Sequence, residues 1–180
     1  GFVSSENFVL VDDIICHEEG IDLVLLDMIG RTSMIGYFVE RYGEEKIRDR
    51  VNCAFSEIKT IGNNKDEPIF VFVHMIFPHA PFVFGPNGET VIPGNPISSE
   101  VWDEKIAYLD QVKFANNEIT KVIEKILDEN EKSIIIIQSD HGSGFDIDWK
   151  NPDASMILQR LSILNAYYVP EISENQFYEN

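Results

Sequence analysis

Ser133-Ile134-Ile135-Ile136-Ile137 runs directly into Gln138-Ser139-Asp140-His141-Gly142-Ser143-Gly144, and how this stretch is read decides the fold. Four consecutive isoleucines, β-branched and unbroken by a polar residue, read as a strand covered on both faces, because a half-exposed strand alternates. A second run of the same kind, Ile69-Phe70-Val71-Phe72-Val73, lies upstream. Between the two, a long amphipathic helix is predicted from residue 99 to about residue 130. Val101, Ala107, Leu109, Val112, Ala115, Ile119, Val122, Ile123 and Ile126 supply its apolar stripe. Strand, helix and strand make a βαβ unit, whose two strands lie parallel in one sheet. The expected class is α/β, a mostly parallel sheet with helices on both faces.

Outward from this unit, residues 142–153 read as a loop followed by a short helix. Ile163-Leu164-Asn165-Ala166-Tyr167-Tyr168-Val169 then reads as a third strand, stopped by Pro170. Upstream, residues 8–15 fit a short strand or a helical turn. Apolar residues at helical spacing from about 18 to 42 predict one or two helices broken near Gly30, with Gly43 as a C-cap. A further helix is predicted over 44–60, with Ile47, Val51, Ala54 and Ile58 on one face, and a polar loop over 62–68. Residues 78–96 carry Pro78, Pro81, Gly85, Pro86, Gly88, Pro93, Gly94 and Pro96, which exclude helix and central strand. A loop of this length in a compact domain is functional or disordered.

The 180 residues suffice for one domain, 1–180, and the composition is that of a globular protein. Fourteen basic residues against 31 acidic ones give a net charge of −17. Such a surface repels a phosphate backbone, so no nucleic-acid partner is expected. Most of the acidity is accounted for by solubility; an anionic ligand would need a local cation, which a bound divalent ion supplies. Cys16 and Cys53 are too few for a zinc knuckle, and their spacing leaves the redox compartment open. The apolar runs are too short to cross a bilayer, and no signal peptide is visible.

In open α/β sheets ligands bind at the carboxyl ends of the strands. The first predicted strand runs into Val73-His74-Met75-Ile76-Phe77-Pro78-His79-Ala80-Pro81, and the second into Asp140-His141. Three of the four histidines therefore occupy these two ends. Asp140 and His141 offer a carboxylate oxygen and an imidazole nitrogen side by side, a donor set suited to a divalent metal. Gly142 and Gly144 would let the backbone turn past such an ion. His79, held in an extended loop by Pro78 and Pro81, is placed to hydrogen-bond a substrate oxyanion or to protonate a leaving group. The alternative is a loop histidine packed against Phe77 and Phe82. His74 is a second substrate contact or a satisfied core histidine.

Other residues carry less. His17 stands alone in an acidic stretch, and Thr32 and Ser33 have no neighbouring base to make them nucleophiles. Asp146 and Asp148 read as a solvated acidic loop before they read as ligands. Lys150 and Arg160 could neutralise a phosphate, but as surface charges need no such role. No glycine-rich nucleotide loop is present.

Taken together, the segment from Phe72 to Phe82, Tyr108-Leu109-Asp110-Gln111-Val112, the stretch from Ile134 to Gly142 and Ile163-Leu164-Asn165-Ala166-Tyr167-Tyr168 resemble the sulfatase-like branch of the alkaline phosphatase superfamily. The likeness covers about residues 20–170. It is nearest to membrane-anchored sulfatase-like proteins, with phosphoethanolamine transferases and lipoteichoic acid synthases more distant. The resemblance implies an alkaline phosphatase-like fold and an enzyme that hydrolyses or transfers sulfate or phosphate esters, lipid- or glycan-linked. It implies a Ser, Thr or modified Cys nucleophile beside one or two divalent metals, Zn, Mn or Ca. Asp140 and His141 match its Asp-His-Gly metal ligands, and His79 matches the histidine that contacts the transferred group. It also implies an extracellular or periplasmic, membrane-anchored setting.

Two departures stand out. No nucleophile segment is found upstream of Gly20, and no histidine follows His141. The chain therefore reads as the C-terminal portion of a larger catalytic domain, inactive by itself without the N-terminal part. The readings that compete with an enzyme are a non-catalytic sulfatase-like domain binding an anionic glycan or a protein partner, and a plain α/β scaffold with structural histidines.

Overall fold

The computed structural model describes Cys16 and residues 36–61, 68–93, 103–145 and 147–170. The expected segment at 8–15, the part of the expected 18–42 helical stretch before residue 36, and the expected loop at 62–68 apart from Pro68 lie outside the described residues. Five elements follow one another: α1 (Gly36–Ile58), α2 (Glu104–Glu129), β1 (Ile135–Gln138), α3 (Ala154–Leu161) and β2 (Asn165–Tyr168). The chain divides into two compact units, Gly1–Ile119 and Thr120–Asn180. Among the described residues, no helix is long and apolar enough to cross a membrane.

In the first unit, α1 runs straight through Gly43, which is not the C-cap expected of it. A single glycine costs a helix interior only about 1 kcal/mol, too little to break a helix anchored by burial of Val51 and Phe55. The helix stops where the Glu57 carbonyl accepts from Thr60 N and Ile61 N at 2.9 and 3.1 Å, and from the Thr60 hydroxyl at 2.8 Å. Asp103 caps α2, its Oδ1 accepting from Lys105 N and Ile106 N at 2.9 and 3.1 Å. The helix therefore starts later than the apolar pattern alone predicts. Its buried face also differs: Phe114 and Ala115 are buried while Leu109 is exposed.

The proline- and glycine-rich segment is the centre of this unit rather than a surface loop. Val83 and Phe84 are almost wholly buried. They sit in a small hairpin closed by Gly85 N to Glu89 O at 2.8 Å, Val91 N to Val83 O at 3.0 Å and the Phe84–Thr90 bridge. The Phe84 ring stacks on Phe114 at 4.6 Å, and Phe77 meets both edge-on at 5.7 and 6.1 Å. Phe55 of α1 closes the cluster against Phe77 and Phe114. Gly88 has φ +87°, and a Cβ there would lie 2.8 Å from a Phe114 ring carbon, so the stack requires glycine. Lys59, just past the end of α1, pairs with Glu118 of α2 at 2.9 Å. Cys16 and Cys53 form a disulfide.

Residues 69–73 form neither strand nor helix, which corrects the expectation of a buried strand. Phe70 and Phe72 are 89% and 79% exposed, and the run has no ladder partner among the described residues. Its apolar, β-rich composition would suit a strand, but composition supplies neither the neighbouring backbone nor the covering layer that a strand needs.

In the second unit, β1 and β2 pair antiparallel, with Ile135 opposite Tyr168 and Gln138 opposite Asn165. The parallel pairing expected of a βαβ unit is not seen among the described residues. Nor is β1 covered on both faces: Ile134 and Ile136 are 66% and 61% exposed, and β2 is exposed throughout. An Asn130 turn leads from α2 toward β1, Asn130 accepting from Ser133 N and, through Oδ1, from Lys132 N, both at 3.0 Å. Beyond β1, Ser139 bonds Leu164 twice, its N–H donating to the Leu164 carbonyl and its Oγ accepting from Leu164 N, both at 2.9 Å.

Candidate functional site

Asp140 and His141 follow β1 directly, where the ladder ends at Gln138 and the Ser139–Leu164 bonds fasten the last residue before the turn. The strand end thus delivers both side chains from a fixed point. Asp140 Oδ2 lies 3.5 Å from His141 Nε2, with the Asp140 side chain 86% exposed and that of His141 41% exposed. The His141 Nδ1 lies 3.0 Å from the Gly142 carbonyl. A carbonyl only accepts, so this contact places the ring hydrogen on Nδ1 and leaves the Nε2 lone pair turned to Asp140.

A carbonyl bond on the far nitrogen is the usual support of a metal-binding imidazole. Two donors on one tetrahedral ion, at bond lengths of roughly 2.0–2.2 Å, stand roughly 3.3–3.5 Å apart. The pair as placed therefore fits a shared divalent cation. With His141 protonated the same two groups form an ion pair, so a cation would compete with a proton for Nε2. Two ligands are short of a full set. Among the described residues, no group of three or more His, Cys, Asp or Glu gathers as a metal site.

Gly142 does something other than ease a turn. Its N–H donates to the Arg160 carbonyl at 2.7 Å, and its own carbonyl accepts from Arg160 Nη1 at 2.8 Å. A Cβ at this position would lie 2.2 Å from the Gln159 carbonyl oxygen and 2.5 Å from that of Ser162. Glycine is needed because the end of α3 presses against the loop backbone. Arg160 is thus tied to the loop that carries Asp140 and His141, a role that its reading as a surface charge missed. The only sequence signal for it was its place in the last turn of a helix.

Asp148 closes a turn. Its Oδ1 accepts from Lys150 N at 3.0 Å and its carbonyl from Asn151 N at 3.1 Å. Lys150 belongs to that turn. Asp146, His17, Thr32 and Ser33 lie outside the described residues.

His74 and His79 belong to the first unit, Asp140 and His141 to the second. His74 is exposed and stacks on Phe72, ring centroids 6.5 Å apart, so it is not a core histidine. His79 is exposed too. Its loop is a tight turn rather than the extended segment expected: His79 N donates to Ile76 O at 3.0 Å, and the Phe77–Pro78 and Ala80–Pro81 bonds are cis. The Phe77 and Phe82 rings turn to Phe84, Phe114 and Tyr108 instead of to His79. His79 Nδ1 lies 2.9 Å from the Ala80 carbonyl, which places the ring hydrogen on Nδ1 as in His141.

The backbone of this turn is held by Gln111 of α2, fully buried, which bonds to Pro78, His79, Pro81, Val83 and Phe84. Sequence reasoning gave Gln111 no role, although a polar residue beside the apolar stripe of a helix was the available signal.

The family model described as Sulfatase matches residues 28–177. No curated protein and no solved structure matches the chain.

Proposed function

The chain belongs to the sulfatase family, within the alkaline phosphatase superfamily and its α/β fold, and from that membership we propose that it carries the metal-binding strand end of an enzyme that hydrolyses or transfers sulfate or phosphate esters. The observation that supports this most is the Asp140–His141 pair, 3.5 Å apart with the far imidazole nitrogen pinned to a carbonyl. Asp140 and His141 would hold a divalent ion, Zn, Mn or Ca, with further ligands from elsewhere. When bound, such an ion supplies Lewis-acid polarisation of an ester oxygen and offsets the negative field of a chain of net charge −17.

His79 has the complementary part. With Nδ1 committed to the Ala80 carbonyl, its Nε2 takes a proton from solvent or gives one to a leaving oxygen, and in the protonated ring it donates to an equatorial oxygen of the transferred group. His74, exposed on Phe72, would be a second contact for that group. The nucleophile is not assigned.

The Cys16–Cys53 disulfide supports an extracytoplasmic setting, since such bonds persist in oxidising compartments. The membrane anchor rests on family likeness alone.

Calorimetric titration of Zn and Mn into the protein and into His141→Ala and Asp140→Asn tests the site. Either substitution should weaken binding by about 100-fold or more, beyond the 10–100-fold lost when a supporting group is removed. Equal affinity in all three proteins would leave a scaffold with structural histidines. The chain by itself should turn over neither 4-nitrophenyl phosphate nor 4-nitrophenyl sulfate; turnover by the whole natural protein, lowered by His79→Ala, then separates an enzyme from a domain that only binds.

A further inference from the structure

Gln111 is an amide in a helix face that otherwise buries Phe114 and Ala115, and none of its surface is exposed. Its Oε1 accepts from Val83 N at 2.9 Å and Phe84 N at 3.2 Å. Its Nε2 lies 3.2, 3.2 and 3.4 Å from the carbonyl oxygens of Pro78, His79 and Pro81. A primary amide has two hydrogens and two lone pairs, so both lone pairs are used and two hydrogens are shared by three carbonyls. Backbone donors on one side and carbonyls on the other leave the amide only one orientation. A carboxylate lacks the hydrogens that the carbonyl side needs, and an apolar chain of the same length lacks every partner. A buried amide without partners is costly, so five partners converging on one is a built arrangement.

The carbonyls that Gln111 grips belong to His79 and to the residues before and after the His79–Ala80 pair. The Ala80 carbonyl between them takes the His79 Nδ1. We propose that Gln111 is the positioning residue of the histidine loop. By fixing the backbone on both sides of Ala80, it holds that carbonyl where the imidazole meets it. It thereby sets the tautomer and direction in which His79 offers Nε2 to an anionic ester group. The functional meaning rests on the ester-transfer reading; the placement itself does not.

The test is the tautomer of His79, read from imidazole nitrogen and carbon NMR shifts above its titration and assigned with His79→Asn. In the wild-type protein the Nδ1–H form should dominate. In Gln111→Met, of similar volume but without the amide, the ring should revert to the Nε2–H form that free side chains prefer. The Val83 and Phe84 amides should exchange about tenfold faster or more. Phe114→Leu loosens the same core without removing any of the five bonds, and should keep the wild-type tautomer.

If Gln111→Met lost amide protection but kept the Nδ1–H form, Gln111 would be a core staple only and the proposal overturned. A tautomer change in Phe114→Leu as large as in Gln111→Met would overturn it equally. Should Gln111→Met not fold, Gln111→Glu, which keeps the accepting oxygen and the volume, carries the same comparison. No metal, substrate or turnover enters this readout. Ester turnover untouched by His79→Ala would therefore sink the functional reading while leaving the positioning result to stand.

Discussion

Gly142 and Arg160 exchange hydrogen bonds: the glycine N–H donates to the arginine carbonyl at 2.7 Å, and the glycine carbonyl accepts from the guanidinium at 2.8 Å. That same carbonyl receives the His141 Nδ1 at 3.0 Å. Three groups thus meet at one backbone unit, and the end of α3 is coupled to the orientation of a candidate metal ligand. Arg160→Met keeps much of the stem but removes the charged donor, so the carbonyl loses one of two anchors. Metal affinity should fall by about tenfold, as for other groups that orient a ligand without touching the ion. The check is the calorimetric titration used for His141→Ala. Unchanged affinity with an unchanged fold would mean that Arg160 merely ties α3 to the loop.

Two glycines should respond to the same substitution in opposite directions. At Gly142 a Cβ would meet two carbonyl oxygens at 2.2 and 2.5 Å. Neither is the end of a flexible side chain, so the backbone of α3 must shift, at a cost of about 1–3 kcal/mol. At Gly43, inside α1, a Cβ meets nothing within 4 Å. Alanine there should stabilise by about 0.5–1 kcal/mol, because glycine has more chain entropy to lose. Denaturant midpoints of the two variants against the wild type give both signs. Stabilisation by Gly142→Ala would contradict the close approach of α3.

The helices were legible because their signal is local. Val51 on α1 and Ala115 and Val122 on α2 are buried at helical spacing, and residues of the next turn supply the same pattern wherever the helix packs. The strands were legible only in part. Ile134 to Ile137 and Ile69 to Val73 are both apolar throughout, yet one includes a strand and the other does not. A ladder depends on backbone far away in sequence, which the run itself does not encode. Asp140 and His141 could be singled out as candidates because adjacent donors at a strand end need no tertiary knowledge. Gln111 and Arg160 could not. Each acts on residues 18 to 33 positions away, and their partners are backbone atoms that carry no sequence signature.

The disulfide should be a large part of the stability of the first unit. It joins Cys16 and Cys53, 37 positions apart, and chain-entropy arguments assign such a link about 3–4 kcal/mol. Thiol titration of the unfolded, unreduced protein should detect no free thiol, and titration after reduction should detect both cysteines. Cys53→Ala should lower the denaturant midpoint as much as reduction does. An equal midpoint with and without reductant would show that the link constrains nothing in the unfolded chain.

Acid should loosen α3 before the rest of the second unit. Asp153 caps this helix, accepting from Met156 N at 2.8 Å and from the Ser155 hydroxyl at 2.7 Å. The Ser155 hydroxyl first, and the Met156 amide second, hold its carboxyl below the ordinary value of 3.8. A group whose value is lower in the folded than in the unfolded chain stabilises fully above the unfolded value, and that stabilisation drains away as pH falls through the folded one. The window therefore lies below about pH 4. There the Met156 and Ile157 amides should lose protection relative to neutral pH, after correction for intrinsic exchange. Asp153→Asn keeps a good cap without an ionisable group and should abolish this acid sensitivity while leaving neutral-pH protection nearly unchanged. Because α3 carries Arg160, the Gly142 amide should lose protection in the same window in the wild type and keep it in the variant. Identical acid profiles for both proteins would place the sensitivity in some other carboxylate.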